Sequence, residues 1–198
     1  MRIGIFGGTF DPPHFGHLIL AAEAVDQAKL DRLLWVLTPD PPHKKGKSIS
    51  PADIRIDMVE VMARQSVHFE LSHVDLDRES PQYAIDTVKL LHKEYPGSDF
   101  YYLMGGDSLR DLYSWHQPDE FVDSVNGIIV YDRQGTLSEM DTILTRFPGL
   151  TNKLQILKAP LIEISGLDIR QRVKEHRVYW HFMPIEIARI IRDRKLYL

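Results

Sequence analysis

The 198-residue chain contains no cysteine. Disulfides, thiolate catalysis and cysteine-ligated zinc are therefore excluded. It also has no apolar stretch long enough to serve as a signal peptide or to span a bilayer, so a cytoplasmic protein without a membrane partner is expected. An excess of basic residues is missing too: the formal net charge is -4, which argues against nucleic acid as a partner. Metal-ligand patterns are scarce. His68, His73, His92, His176 and His181 form no convincing set, and the last two are five apart, off one helical face. Repeats, low-complexity tracts and linkers are absent as well. What remains is ordinary globular material, 43% hydrophobic and 26% charged. One domain over 1–198 is expected, with a small helical segment from about 166 to 198.

Two familiar phosphate signatures are also lacking. A dinucleotide fingerprint requires G-x-G-x-x-G, whereas the glycines fall at Gly4, Gly7 and Gly8. The Gly46-Lys47-Ser48 triplet has Pro41 where a Walker loop places its first glycine. Present instead is Gly7-Gly8-Thr9-Phe10-Asp11-Pro12-Pro13-His14-Phe15-Gly16-His17, after the apolar run Ile3–Phe6 and before an apolar-periodic segment from Leu18 to Ala28. That order reads as strand, glycine turn and helix. Gly7 and Gly8 allow close approach of an anion, and the helix start offers unpaired N–H groups and partial positive charge. His14 and His17, three apart, can face one ligand.

The rest of the chain alternates strand and helix patterns. Buried strands are expected at 33–38, 100–104, 127–131 and 154–157, with further strand-like alternation at 69–71 and 74–76. Helices are expected from Pro51 (with Ser50 as N-cap) to about Ser66, from the 83–87 region to about Tyr95, in a short piece starting at Phe121-Val122, at 137–147 and after Pro184. The fold class is α/β: a Rossmann-like, doubly wound, mostly parallel sheet flanked by helices. Ligands of such sheets gather at the C-terminal strand ends. There lie Asp40-Pro41-Pro42-His43-Lys44, and Gly105-Gly106-Asp107-Ser108-Leu109, whose Asp107 suits ribose hydroxyls or a base amine.

GGTFDPPHFGHL resembles the T/H-x-G-H signature of the nucleotidyltransferase superfamily, in the form found in bacterial nicotinate mononucleotide adenylyltransferases. The likeness extends from Gly7 through Arg170 in the family's motif order. It implies transfer of the adenylyl group of ATP to nicotinate mononucleotide, with His14, His17, Lys44 and Arg170 as the catalytic set. ATP would contact Gly7, Gly8, Thr9, Phe10, His14, His17, Gly105, Asp107, Arg133, Ser165, Ile169 and Arg170. The mononucleotide would contact Thr9, Lys44, Tyr83, Ala84, Thr87 and Trp115, the last stacking on the pyridine ring. Magnesium is expected to ride on ATP phosphates without a protein ligand. Lys45 and Lys47 read as solvated, and Arg55 reads equally as a family arginine or a surface one.

The chain departs from the pattern in four places, one of them Gln134 beside Arg133, where the family has proline. Gly106 stands for alanine, Ala84 for threonine, and Gly166-Leu167 for two hydroxyl residues in the segment Ile164-Ser165-Gly166-Leu167-Asp168-Ile169-Arg170. The last departure keeps open a non-catalytic nucleotide sensor. A phosphopantetheine adenylyltransferase, a cytidylyltransferase and a nicotinamide mononucleotide acceptor also remain as alternatives. A class I aminoacyl-tRNA synthetase shares the histidine chemistry, but the chain is too short for its other domains. Monomer and homo-oligomer both stay open.

Overall fold

A computed structural model describes residues 1–41, 49–132 and 140–198. Its centre is a six-stranded parallel sheet in the order β3-β2-β1-β4-β5-β6. The strands are β1 (Arg2–Gly8), β2 (Arg32–Leu37), β3 (Phe69–Ser72), β4 (Asp99–Gly105), β5 (Gly127–Tyr131) and β6 (Leu154–Ile156). The sheet is wholly parallel where a mostly parallel one was expected. Parallel neighbours need crossovers, and the helices supply them.

Both faces of the sheet are covered, so consecutive residues of a strand bury on opposite sides. Leu33, Trp35 and Leu37 join one core with α1 (Phe15–Gln27), α2 (Ala52–Ala63), α7 (Gly166–Lys174) and α8 (Ile185–Asp193). Leu34 and Val36 join the other, with α3 (Ala84–Glu94), α4 (Gly106–Arg110), α5 (Pro118–Ser124) and α6 (Met140–Arg146). This is why the strands read as unbroken apolar runs rather than as alternating ones. Among the described residues no helix is long and apolar enough to cross a membrane.

Some expected elements shift. Val74–Leu76 is a turn rather than a strand, with Leu76 N–H bonded back to His73 O at 2.8 Å. Pro51, not Ser50, caps α2, and α5 begins at Pro118. The chain reverses direction across the sheet between β1 and β4. β2 and β4 lie on either side of β1, the first strand laid down, and the C-terminal ends of β1 and β4 at Gly8 and Gly105 bound a crevice.

Candidate active site

That crevice is a cleft of about 700 Å³, of the size small ligands occupy. Its floor is the end of β1, Phe6 to Thr9, and the end of β4, Leu103 to Gly105. One wall is α3 with the segment before it (Asp75, Gln82, Tyr83, Ala84, Thr87), and the other runs from Asp107 to His116. Of the expected contacts, the cleft gathers Gly7, Gly8, Thr9, His17, Tyr83, Ala84, Thr87, Gly105, Asp107 and Trp115. A groove between α1 and the β3 edge, near Leu18, Val25 and Phe69, carries none of them.

The loop after β1 is shaped by its aromatic side chain. Phe10 takes a left-handed φ of 49°, costly for a residue with a bulky Cβ. Its ring packs edge-on to Phe6 at 5.4 Å and against Trp35 at 5.3 Å, and burial holds the strained backbone in place. A Cβ on Gly8 would lie 2.8 Å from that ring, so glycine is required there. Phe10 is thus buried under the loop, and its side chain is a packing group.

His14 precedes α1 and His17 sits in its first turn. The rings stack at 3.8 Å, but they are not equivalent. His14 is buried, whereas His17 lines the cleft. His14 N–H donates to His17 Nδ1 at 3.2 Å. With Nδ1 accepting, a neutral His17 carries its proton on Nε2. The helix start therefore sets the tautomer of the cleft histidine.

The α7 region lies beside the same loop and outside the cleft lining. Ser165 Oγ caps the helix by accepting from Asp168 N–H at 3.1 Å. Arg170 Nη1 donates to Asp11 O at 2.6 Å. Ile169 is fully buried and its N–H is held by Ser165 O, so it packs and does not reach a ligand. A Cβ on Gly166 would stand 3.1 Å from Asp11 O. A side chain at 166 would press on the loop at Asp11 O, which would have to give by a few tenths of an ångström. Lys44 and Arg133 lie outside the described residues.

Four residues emerge that sequence reading missed or left undecided. Arg55 is buried, 2% exposed, and donates four hydrogen bonds, to Thr9 O, Thr38 O, Pro39 O and Ser50 O. Tyr102, a half-buried residue of β4 that lines the cleft, sets its hydroxyl 2.7 Å from where a Gly7 Cβ would be, and desolvation pushes its pKa up. Arg78 ties the α3 wall together, donating to Pro81 O, Tyr83 O, Thr87 Oγ1 and Asp75 Oδ1. Asp75 also accepts from Thr87 Oγ1 at 2.7 Å. Tyr83 stacks on His116 at 4.1 Å, and Trp115 packs against Phe121 at 5.2 Å.

Burial raises the Asp75 carboxyl above its ordinary 3.8, against the pull of Thr87 and Arg78. An acid with a raised folded pKa holds its proton more tightly in the native state. Stability therefore falls as pH rises from 3.8 through the raised value, and the cost persists above it. The melting temperature of the protein relative to its Asp75→Asn variant is expected to decline across that window and then level off. A constant difference between about pH 3 and pH 7, spanning the carboxylate range, would refute this.

The cytidylyltransferase-like family matches residues 5–172. A protein of Thermomicrobium roseum, described as "Probable nicotinate-nucleotide adenylyltransferase", is 38% identical over 99% of this chain and 91% of its own length. The chain belongs to that family. A Bacillus pumilus protein with the same description is 33% identical over 99% of this chain and 98% of its own. The fold agrees with that of the Plasmodium falciparum nicotinic acid mononucleotide adenylyltransferase complexed with NaAD. That likeness has a TM-score of 0.80 at 20% identity, covering 99% of this chain and 97% of the other. His17 and the GGDSL turn line the cleft, and the α7 start stands beside the loop that carries the histidines.

Proposed function

We propose that this protein transfers the adenylyl group of ATP to nicotinate mononucleotide, yielding nicotinate adenine dinucleotide and pyrophosphate. The observation that carries the reading is His17 at the cleft, its Nδ1 accepting from His14 N–H, which places the proton of a neutral ring on Nε2. The mononucleotide phosphate attacks the α-phosphorus of ATP in line, the new P–O bond forming as the bond to pyrophosphate breaks. The nucleophile is already anionic, so no covalent enzyme intermediate is needed. Catalysis reduces to positioning and charge stabilisation.

In this reading His17 Nε2–H bonds to the transferring phosphate, and His14 holds it in place. The backbone of Gly7 to Thr9 lines the phosphate path, and Asp107 takes the ribose or base of ATP. Arg170 and Lys44 neutralise the departing pyrophosphate. Arg133 and the Ser165 turn complete the ATP side. Among the described residues no three His, Asp or Glu side chains gather at metal-binding spacing. In this reading magnesium would be held by the ATP phosphates, where it would supply charge neutralisation. The setting in this reading is cytoplasmic cofactor synthesis.

Tyr83, Ala84, Thr87 and Trp115 form the pyridine end. Tyr83 and Ala84 open α3, whose first N–H groups favour an anion. Asp86 lies outside the cleft lining, its Oδ2 4.0 Å from Arg78 Nη1, and does not oppose one. The acid mononucleotide is therefore expected to be preferred over the amide by at least tenfold in kcat/KM, on the order of 1.4 kcal/mol. The deciding assay supplies Mg-ATP with a panel of acceptors: both mononucleotides and phosphopantetheine. Turnover of the amide or of phosphopantetheine instead would displace the substrate assignment. Tight ATP binding with no product from any acceptor would identify a sensor.

A further inference from the structure

The turn after α8 has no part in the chemistry above, yet it lands on the phosphate loop. Lys195 and Tyr197 both adopt left-handed backbone, φ 52° and 65°, a conformation that costs residues bearing a Cβ. Leu196 between them is buried in the core, and Tyr197 is aimed inward. Its hydroxyl donates to Asp11 Oδ1 at 2.6 Å, across 186 positions of sequence. Asp11 is itself buried, in the middle of the loop between Thr9 and His14.

Three segments remote in sequence grip this one residue. Oδ1 takes the Tyr197 hydroxyl, Oδ2 takes Ser50 N–H at 3.2 Å, and the main-chain oxygen takes Arg170 Nη1 at 2.6 Å. Beneath them Arg55 bonds Thr9 O and Ser50 O, tying the same loop to the exit of the 38–50 segment. A merely packed turn does not require its side chain to meet a buried carboxylate on a strained backbone.

We propose that the Tyr197–Asp11 hydrogen bond is a latch that holds the phosphate loop in its ATP-binding shape, making both residues positioning residues for adenylyl transfer. The assignment rests on the function proposed above. Asp11 is the point at which a shift would reach both Thr9 and the Arg170 side chain. Displacements of about 1 Å at such contacts cost orders of magnitude in rate. Burial and the Asp11 carboxylate both raise the Tyr197 pKa, so the phenol remains a donor at neutral pH.

The test is isothermal titration of the wild type, Tyr197→Phe, Asp11→Asn and the double variant with α,β-methylene ATP and, separately, with nicotinate mononucleotide. Tyr197→Phe keeps the ring and removes only the donor. It is expected to loosen the ATP analogue about tenfold, or 1.4 kcal/mol, while mononucleotide affinity stays within about threefold. The double variant is expected to bind within about twofold of the weaker single one, because both changes break one interaction. Unchanged analogue affinity in Tyr197→Phe would overturn the latch. So would equal loosening of both ligands with a lowered melting temperature, or additive effects in the double variant. A wild type that binds the analogue but makes no dinucleotide would refute the activity and leave the latch to be judged by these affinities. A wild type that does not bind the analogue would overturn the latch too.

Discussion

Replacing His17 by alanine is expected to lower kcat about a hundredfold in a protein that remains folded. The loss corresponds to ~3 kcal/mol of transition-state stabilisation, the size of one preorganised donor aimed at developing charge. The donor is preorganised because His14 N–H holds Nδ1 and the two rings stack, so no reorientation is needed during transfer. Alanine also strips the His14 N–H of its acceptor at the start of α1, which costs about 1 kcal/mol of stability. The two losses separate in His17→Asn. Its side-chain oxygen can accept from His14 N–H while its shorter reach leaves the phosphate without a donor. Stability should recover and rate should not. Steady-state kinetics at saturating substrates, with melting curves of each variant, decide the matter. A folded His17→Ala enzyme with near-normal kcat would remove His17 from the chemistry.

Features written in adjacent residues were legible in the sequence. The glycine turn, the histidine pair and the strand Gly127–Tyr131 all declare themselves within a dozen positions, because strand period and turn chemistry act locally. The cleft followed once those turns were placed at strand ends. Contacts between remote segments were not legible. Arg55 sits on a helix among ordinary residues, and its burial is decided by carbonyls of Thr9, Thr38 and Pro39 that only the folded chain brings to it. Asp75 lies in a stretch with strand-like alternation, and that pattern concealed a turn facing the cleft. Tyr197 meets its partner across nearly the whole chain. Ile169 shows the opposite failure. It matches a motif, yet its spacing of four from Val173 places both on the buried face of α7, and that periodicity was the better guide.

The largest expected loss of stability follows from Arg55. A guanidinium buried to this degree is expensive, and burial lowers its pKa, opposed by the charge of Asp11 and by Tyr197. The cost is offset by a planar fork that satisfies four carbonyls at once, between 2.7 and 3.0 Å. These carbonyls belong to the end of the phosphate loop and to both ends of the segment that carries Lys44. Arg55→Ala takes the guanidinium from all four carbonyls and opens a cavity between the two loops. The unfolding free energy is expected to drop by about 3–5 kcal/mol. That corresponds to about 10 °C in melting temperature for a chain of this size. Arg55→Lys discriminates charge from geometry. An ammonium retains the charge, but its three protons radiate from a single nitrogen and cannot reproduce the fork. The lysine variant should therefore recover only part of the loss. Urea denaturation of the three proteins gives the measurement, and a drop below about 1 kcal/mol in Arg55→Ala, the value of one ordinary hydrogen bond, would show that water replaces the guanidinium and that the two loops hold each other without it.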